Sequence, residues 1–203
     1  MTHTPSADNS VDARLAAALE RLGQAVRTAW VEAGQAFGLS ALQSQILVYL
    51  LQNAQGARLR PSAVAERLQV TRATLSDALA ALETKGLLQR IPSTIDRRAR
   101  ELKLTPQGRR TAAKLSRWNA AMVQVLRSLP AGEKGRLLDL LLRLIAELQA
   151  CGLITIARMC RSCAFFEPDV HDAPEAPHHC RLLDQPLKLV ELRVDCPDYQ
   201  PVE

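Results

Sequence analysis

The sequence predicts a mainly α-helical protein with a small β-wing (a two-stranded hairpin), completed by a loop-rich C-terminal extension that carries cysteines. Apolar residues make up 47% of the 203 residues and aromatic residues only 3%, which favours helices packed on helices over a β-sandwich. Apolar residues recur at helical spacing through most of the chain. Beyond Met159, six of the 11 prolines occur without a helical period, so this tail is predicted to be mostly loop.

Four helices are predicted before the hairpin. The first follows a disordered start (residues 1–11) and ends before Gly38. Ser40 is placed as the N-cap of the second helix, Pro61 lies in the first turn of a short third helix, and Thr71 caps the fourth. Each of these residue types satisfies or tolerates the free N–H groups at a helix start.

A basic hairpin and two further helices follow. Strands are predicted at 87–90 and 101–104, and Thr105 caps a helix that is expected to continue to about Ser128. The last helix, predicted over 137–156, has leucines on nearly every face. Such a helix is normally buried, and a second subunit is the expected cover because nothing else in the chain is large enough.

Charge divides the chain into a basic middle and an acidic tail. Residues 58–110 contain 12 Lys and Arg against 5 Asp and Glu, an excess of +7. Residues 151–203 contain 5 Lys and Arg against 9 Asp and Glu, a net charge of −4. The basic middle is therefore expected to contact a polyanion, and the tail to serve another purpose.

The expected compartment is the cytoplasm. The N-terminal segment is polar and lacks the apolar centre of a signal peptide, and charged residues interrupt the most apolar helix. In a reducing compartment, clustered cysteines indicate metal binding or redox sensing rather than disulfides. The sequence shows no paired general acid and base, no glycine-rich phosphate loop and no nucleophile near a histidine, so we do not expect an enzyme.

The third helix, the fourth helix and the hairpin together form a winged helix-turn-helix pattern. Leu75, Leu79 and Leu82 share one face of the fourth helix and should point inward, which turns the N-terminal polar residues towards the DNA major groove. Arginines at the hairpin tip can enter the minor groove or neutralise phosphates. The predicted DNA-binding residues are Thr71, Arg72, Thr74, Ser76, Asp96, Arg97, Arg98 and Arg100.

These motifs resemble the MarR family of bacterial transcriptional regulators over residues 12–150. The shared marks are LETKGLLQR at the entry to the wing, Asp96-x-Arg98 in the wing, Leu104-Thr105-x-x-Gly108 after it, and LSALQSQILVYL upstream. The resemblance implies an obligate homodimer, held by the first and the last two helices, on a pseudo-palindromic DNA operator. It also implies that Asp96 orients the wing and that Arg98 is the minor-groove contact.

Four cysteines in the tail are candidate metal ligands. Cys160, Cys163, Cys180 and Cys196 follow the pattern C-x2-C-x16-C-x15-C, and four thiolates can enclose a zinc ion or an iron–sulfur cluster. Structural zinc sites usually have two close cysteine pairs, whereas this tail has one pair and two single cysteines. Apolar and aromatic neighbours favour a cluster shielded from water.

The tail also resembles the high-potential iron–sulfur proteins, in which a C-x2-C followed by aromatic residues precedes two single cysteines at similar gaps. The resemblance covers the cysteine segment and favours a 4Fe–4S cluster, with zinc as the alternative. His178 and His179 could replace a cysteine ligand, although four cysteines suffice, and they are expected in solvent or beside the ligands. Cys151, inside the last predicted helix, is interpreted as a small buried apolar residue.

The sequence therefore predicts a DNA-binding transcriptional regulator with two parts. Residues 12–150 are expected to form the DNA-binding and dimerisation domain, and residues 151–203 the helix end and the metal-binding extension. Operator binding would depend on an iron–sulfur cluster that senses redox state or iron. The alternative keeps the same regulator but makes the tail a structural zinc site and assigns control to a small-molecule (aromatic) effector.

Overall fold

The computed structural model of the protein describes residues 10–53, 59–93 and 100–202. The chain divides into two compact units, Met1–Ala120 and Ala121–Glu203. This division places the last two helices with the tail, whereas the sequence analysis groups them with the DNA-binding part. Of the start predicted to be disordered, only Ser10 and Val11 are described, as the N-cap and the first residue of a helix. No helix in the described ranges is long and apolar enough to span a membrane.

The first unit contains five helices and a hairpin within its described residues. Ser40 and Gln43 form a capping box, and Thr71 and Thr105 cap their helices by accepting hydrogen bonds from backbone N–H groups, so these three predicted caps are confirmed. The hairpin strands are antiparallel, with Leu88 opposite Leu104. The elements are α1 (Val11–Gln35), α2 (Ala41–Gln52), α3 (Pro61–Arg67), α4 (Arg72–Thr84), β1 (Leu88–Pro92), β2 (Arg100–Leu104) and α5 (Pro106–Leu115).

One core joins these elements. Ile46 and Leu47 of α2 are fully buried between the first helix and the helix-turn-helix. The hairpin is attached to the same core, because Leu102 and Leu104 are buried and the Leu102 N–H donates to the Leu59 carbonyl. Burial of aliphatic side chains is the main stabilising contribution here.

Gly108 allows α5 to approach the start of the hairpin. A Cβ atom at this position would lie 1.8 Å from the Leu87 carbonyl oxygen, and backbone cannot move aside as a side chain can. The Gly108 N–H also donates to the Thr105 cap. The glycine in the Leu104-Thr105-x-x-Gly108 motif is therefore required by packing.

Replacing Gly108 by Ala is expected to lower the free energy of unfolding by about 3 kcal/mol, because the added methyl group forces α5 away from the hairpin. Urea unfolding followed by circular dichroism measures the change. Gly132→Ala is the control, since nothing lies within 4 Å of a Cβ there, and it should leave stability unchanged or raise it by up to about 1 kcal/mol. Equal destabilisation by both variants would contradict the packing argument.

The prediction of one helix from Thr105 to about Ser128 is wrong, because the chain forms two helices there, α5 and α6 (Ala120–Arg127). Residues 116–119 form turns closed by i to i−3 hydrogen bonds. Ser116 Oγ donates to the Ala112 carbonyl, a contact that bends helices. Trp118 stacks on Trp30 with ring centroids 4.3 Å apart. These two contacts lie at the break between the helices.

The last helix begins and ends earlier than predicted. It is α7 (Ala131–Ala150) rather than 137–156. Pro130 precedes it, and Gly152, with φ of +80°, terminates it while the Leu153 N–H donates to the Leu148 carbonyl. A glycine in the left-handed conformation after the last turn is a common helix stop.

The tail packs on α7 through short elements. A three-stranded antiparallel sheet has the order β3 (Phe166–Glu167), β4 (His178–Cys180), β5 (Gln185–Leu187). Two 3₁₀ turns, Cys160–Ser162 and Leu189–Glu191, both contact α7. The tail is thus mostly loop and turn, as predicted. Its core is small and consists of Leu142, Ala157, Met159, Leu187 and Leu192.

Much of the apolar surface of α1 and α7 is exposed in the single chain. On α7 only Leu142 is fully buried among the leucines, whereas Leu140 is 62% exposed. On α1, Leu15 and Leu22 are each 57% exposed. Cover by a second subunit stays a prediction. The interpretation of Cys151 as a buried residue is wrong for this chain, since Cys151 is the exposed C-cap of α7.

Candidate nucleic-acid interface and metal centre

The inward and outward faces of α4 are as the sequence predicts. Leu75, Leu79 and Leu82 are buried in the core, while Arg72 and Ser76 are exposed on the opposite side. This orientation leaves the N-terminal half of α4 free to face a ligand outside the unit.

Two of the predicted DNA-binding residues have a structural role at the helix start. Thr71 Oγ1 accepts a hydrogen bond from the Thr74 N–H at 3.1 Å, and the two hydroxyl oxygens lie 2.8 Å apart. Both side chains are exposed. The pair fixes the first turn of α4, which orients the exposed Arg72 beside it.

Basic side chains border an open groove of about 410 Å³ beside α4. Pro61 and Ser62 of α3 line one side, and Arg72 and Ser76 line the other. Arg90 of β1 completes the groove and pairs with Glu83 at 3.2 Å. The helix-turn-helix and the hairpin thus share one surface.

The predicted wing residues are only partly described. Arg100 is the exposed first residue of β2, opposite Pro92. Asp96, Arg97 and Arg98 lie outside the described residues.

The four tail cysteines lie in one 3₁₀ turn, one strand and one loop, and all are half-buried. Cys160 opens the first 3₁₀ turn and Cys163 follows it, with the Cys163 N–H donating to the Cys160 carbonyl. Cys180 ends β4, where it pairs with Phe166. Cys196 is attached by its N–H to the Arg158 carbonyl at 2.7 Å.

Burial and negative charge both act on the Cys160 thiol. Burial raises the pKa of the Cys160 thiol most, and the negative charges of Cys196, Cys180 and Cys163 raise it further. A hydrogen bond from the Arg193 N–H to Cys160 Sγ, at 3.2 Å, lowers it. A bound cation or cluster would relieve the repulsion among these thiolates.

Arg193 contributes a second donor to the thiol group. Its guanidinium Nη1 lies 3.6 Å from Cys196 Sγ, and the Cys196 contact raises the pKa of Arg193 above its usual range. Donors to sulfur and nearby positive charge stabilise metal-bound thiolates. The sequence analysis missed this residue because its role depends on a contact with Cys160, 33 residues earlier in the chain.

The four cysteines, as the described residues place them, do not form a metal site. In the described parts of the chain, the side chains as placed form no group of three or more His, Cys, Asp and Glu that could hold a metal ion. A zinc ion would require all four sulfurs at about 2.3 Å from one point.

Behind the cysteines lies a buried polar group that the sequence analysis did not identify. Asp139 of α7 accepts hydrogen bonds from Nε and Nη2 of Arg161, the residue after Cys160, with Nε at 3.0 Å. Both side chains are only 10% exposed. The signal in the sequence is a single aspartate in the middle of an apolar helix.

His178 is fully buried, so the expectation that it lies in solvent is wrong. A place beside metal ligands stays a prediction. The Nδ1 atom of His178 accepts a hydrogen bond from the Asp169 N–H at 3.1 Å. Burial and then the charge of Arg161 lower the pKa of His178 below its usual value. His179 instead contacts His171, with 3.2 Å between ring nitrogens.

Comparisons with known proteins agree with the fold of the first unit. The fold is a winged helix-turn-helix, and residues 37–99 match the model of the MarR family. The chain is similar in structure to the S. aureus MepR–DNA complex, with a TM-score of 0.58 and 24% identity over 66% of this chain and 97% of that chain.

Two further solved structures share this fold. A transcription regulator MarR from Oenococcus oeni gives a TM-score of 0.54 and 24% identity over 65% of this chain and 98% of that chain. A MarR transcriptional regulator from Methanosarcina mazei gives a TM-score of 0.55 and 16% identity over 66% of this chain and 94% of that chain. A comparison with curated proteins gave no match.

Proposed function

We propose that the protein is a DNA-binding transcriptional regulator that acts as a homodimer. The observation that carries this proposal is the exposed N-terminal half of α4, with Arg72 and Ser76, beside a basic hairpin on a winged helix-turn-helix scaffold. An exposed helix of this kind fits the DNA major groove, and the hairpin arginines would contact the adjacent phosphates of the DNA backbone. The similar MepR structure was solved with DNA.

The dimer is proposed from the exposed leucines of α1 and α7. Soluble monomers rarely expose long apolar helix faces. Two copies related by a twofold axis would cover these faces with each other and present two copies of α4 to a pseudo-palindromic site.

We further propose that the four tail cysteines hold an iron–sulfur cluster, with 4Fe–4S favoured, and that operator binding depends on its state. Four half-buried cysteines, arranged as one C-x2-C pair and two single cysteines beside the donors of Arg193, support a cluster over zinc. Cys160, Cys163, Cys180 and Cys196 would be the ligands, and Arg193 would donate to two of their sulfurs. The cluster supplies a group whose oxidation or loss changes the local charge and order.

Anaerobic purification tests the cluster proposal directly. The expected result is a brown protein with visible absorption and about four iron and four sulfide per chain. Gel shifts on a DNA fragment selected from genomic DNA by the protein should then differ between the loaded form and the form emptied by oxidant and chelator. A colourless protein with one zinc per chain would overturn the cluster proposal.

A structural zinc site with a small-molecule effector is the second candidate. The small tail core favours it, because five buried apolar residues stabilise a loop-rich segment weakly and a metal would supply the missing stability. In that case the emptied tail should unfold, and operator affinity should respond to an effector rather than to redox state.

A further inference from the structure

A cavity of about 330 Å³ lies beside the first turns of α7. Ala131, Gly132 and Gly135 of the helix line one side, and residues 174–175 and 188–190 of the tail line the other. All of these residues belong to the second compact unit. Small-molecule pockets in proteins have volumes of about 300–1,000 Å³, so this cavity can hold a small ligand.

The cavity forms because α7 and the 3₁₀ turn Leu189–Glu191 touch at one point and separate towards the start of the helix. A Cβ atom at Gly135 would lie 3.1 Å from Leu189 Cβ. At Gly132, almost one turn earlier, a Cβ atom would meet nothing within 4 Å. The absence of a side chain at Gly132 therefore leaves space between the helix and the turn.

Hydrogen bonds fix the tail side of the cavity. The Leu189 N–H donates to the Glu175 carbonyl at 2.9 Å, which joins the two tail segments. The Lys188 N–H donates to the Glu191 carboxylate at 3.0 Å, which closes the turn. The cavity is thus formed before a ligand arrives, and a pre-formed site avoids the entropic cost of ordering its walls.

The apolar part of the lining is aliphatic. Pro174, Leu189 and Val190 supply it, and the described lining residues include no aromatic ring. Val190 is 54% exposed, so a ligand could remove much of its apolar surface from water. An alkyl chain therefore fits this part of the cavity.

The charged part of the lining has an excess of positive charge. Arg136 and Lys188 are exposed, and neither forms an ion pair with another residue in the described ranges. Glu175 is the one acidic side chain among the described lining residues, which leaves a net charge of +1. The lining thus favours an anionic group over a cationic one.

We infer that this cavity binds a small aliphatic carboxylate. Its carboxylate group contacts Arg136 and Lys188, and its alkyl chain lies on Leu189 and Val190 in the space beside Gly132. The inference goes beyond the proposed DNA binding, and it depends neither on a second copy of the chain nor on the state of the cysteines.

A ligand-detected NMR titration of the full-length protein with hexanoate tests the ligand class. The expected result is one hexanoate per chain with a Kd of about 1 mM or below. Hexanamide and hexylamine have the same alkyl chain without the negative charge, and each should bind about fivefold more weakly. Equal binding of the three compounds, a preference for hexylamine, or no binding of hexanoate would overturn the inference.

A steric variant tests the position of the ligand. Gly132→Leu should abolish hexanoate binding because the added side chain fills the open space, while the helix tolerates leucine better than glycine. Ala150→Leu is the matched control, since it adds the same side chain at an exposed position at the other end of α7. Wild-type affinity in Gly132→Leu, or lost affinity in Ala150→Leu, would contradict the assigned position.

Charge variants test the two cations. Arg136→Gln and Lys188→Gln should each weaken hexanoate binding by about fivefold and leave hexanamide binding unchanged. Arg127→Gln is the control, because Arg127 is an exposed arginine on α6 that is not among the lining residues. An equal loss for hexanamide, or the same loss in Arg127→Gln, would show that the carboxylate is not held by Arg136 and Lys188.

Amide hydrogen exchange locates the site without any substitution. Hexanoate at about ten times its Kd should slow exchange by up to about tenfold. The protected amides should lie in residues 131–136 and 188–191, which enclose the cavity. Protection confined to other parts of the chain would overturn the inference.

Discussion

Operator binding is expected to weaken by about a thousandfold or more when salt is raised from about 50 to 200 mM. The reason is the net charge of +7 over residues 58–110, which the proposed dimer presents twice. Arg72, Arg90, Arg100 and Lys103 are exposed on the helix-turn-helix and the hairpin. Each phosphate that such a side chain neutralises releases a counterion, and the logarithm of affinity falls linearly with that of salt concentration.

Fluorescence anisotropy on the selected fragment at several salt concentrations measures the slope. Arg72→Ala should reduce the slope by about one per subunit. Arg14→Ala, which removes an exposed arginine from α1 outside the basic segment, should leave it unchanged. A shallow slope, with equal affinity for unrelated DNA, would count against the proposed DNA-binding surface.

Replacing Cys163 by Ser is expected to abolish cluster binding, with iron falling from about four per chain to nearly none. Serine keeps the size and the backbone contacts of the residue, including its bridge to Pro201, but it is a poor ligand for iron. The first unit should stay folded, since Cys163 lies in the second unit. Operator affinity should equal that of the emptied wild type.

Cys151→Ser is the matched control, because Cys151 is an exposed thiol at the end of α7. It should load and bind DNA as the wild type does. Limited proteolysis separates the two candidate roles of the tail. Digestion of the tail both in Cys163→Ser and in the emptied wild type would support the structural zinc site instead.

Local features of the fold were predictable because they depend on neighbouring residues. Ser40, Thr71 and Thr105 cap helices through hydrogen bonds to N–H groups three residues away. The inward leucines of α4 follow from helical period alone. The set of candidate cysteines likewise follows from spacing, without any knowledge of the fold.

The break between α5 and α6 and the partners of the buried charges could not be predicted in this way. Beside the break Trp118 stacks on Trp30, and the two are 88 residues apart in the sequence. Composition suggested that every face of α7 is buried, yet Leu140 is exposed in the single chain. Helical periodicity predicts which residues share a face, but it does not predict what packs against that face.

The amino-acid sequence alone specifies the helix-turn-helix, the hairpin, the basic segment and four cysteines with ligand spacing, because each is encoded over a few turns or by residue type. Tertiary structure decides which partners those residues have. It places Arg193 beside Cys160 and Cys196, buries His178, and joins Asp139 to Arg161. These contacts depend on desolvation and on chain segments that meet only after folding, so no local pattern contains them.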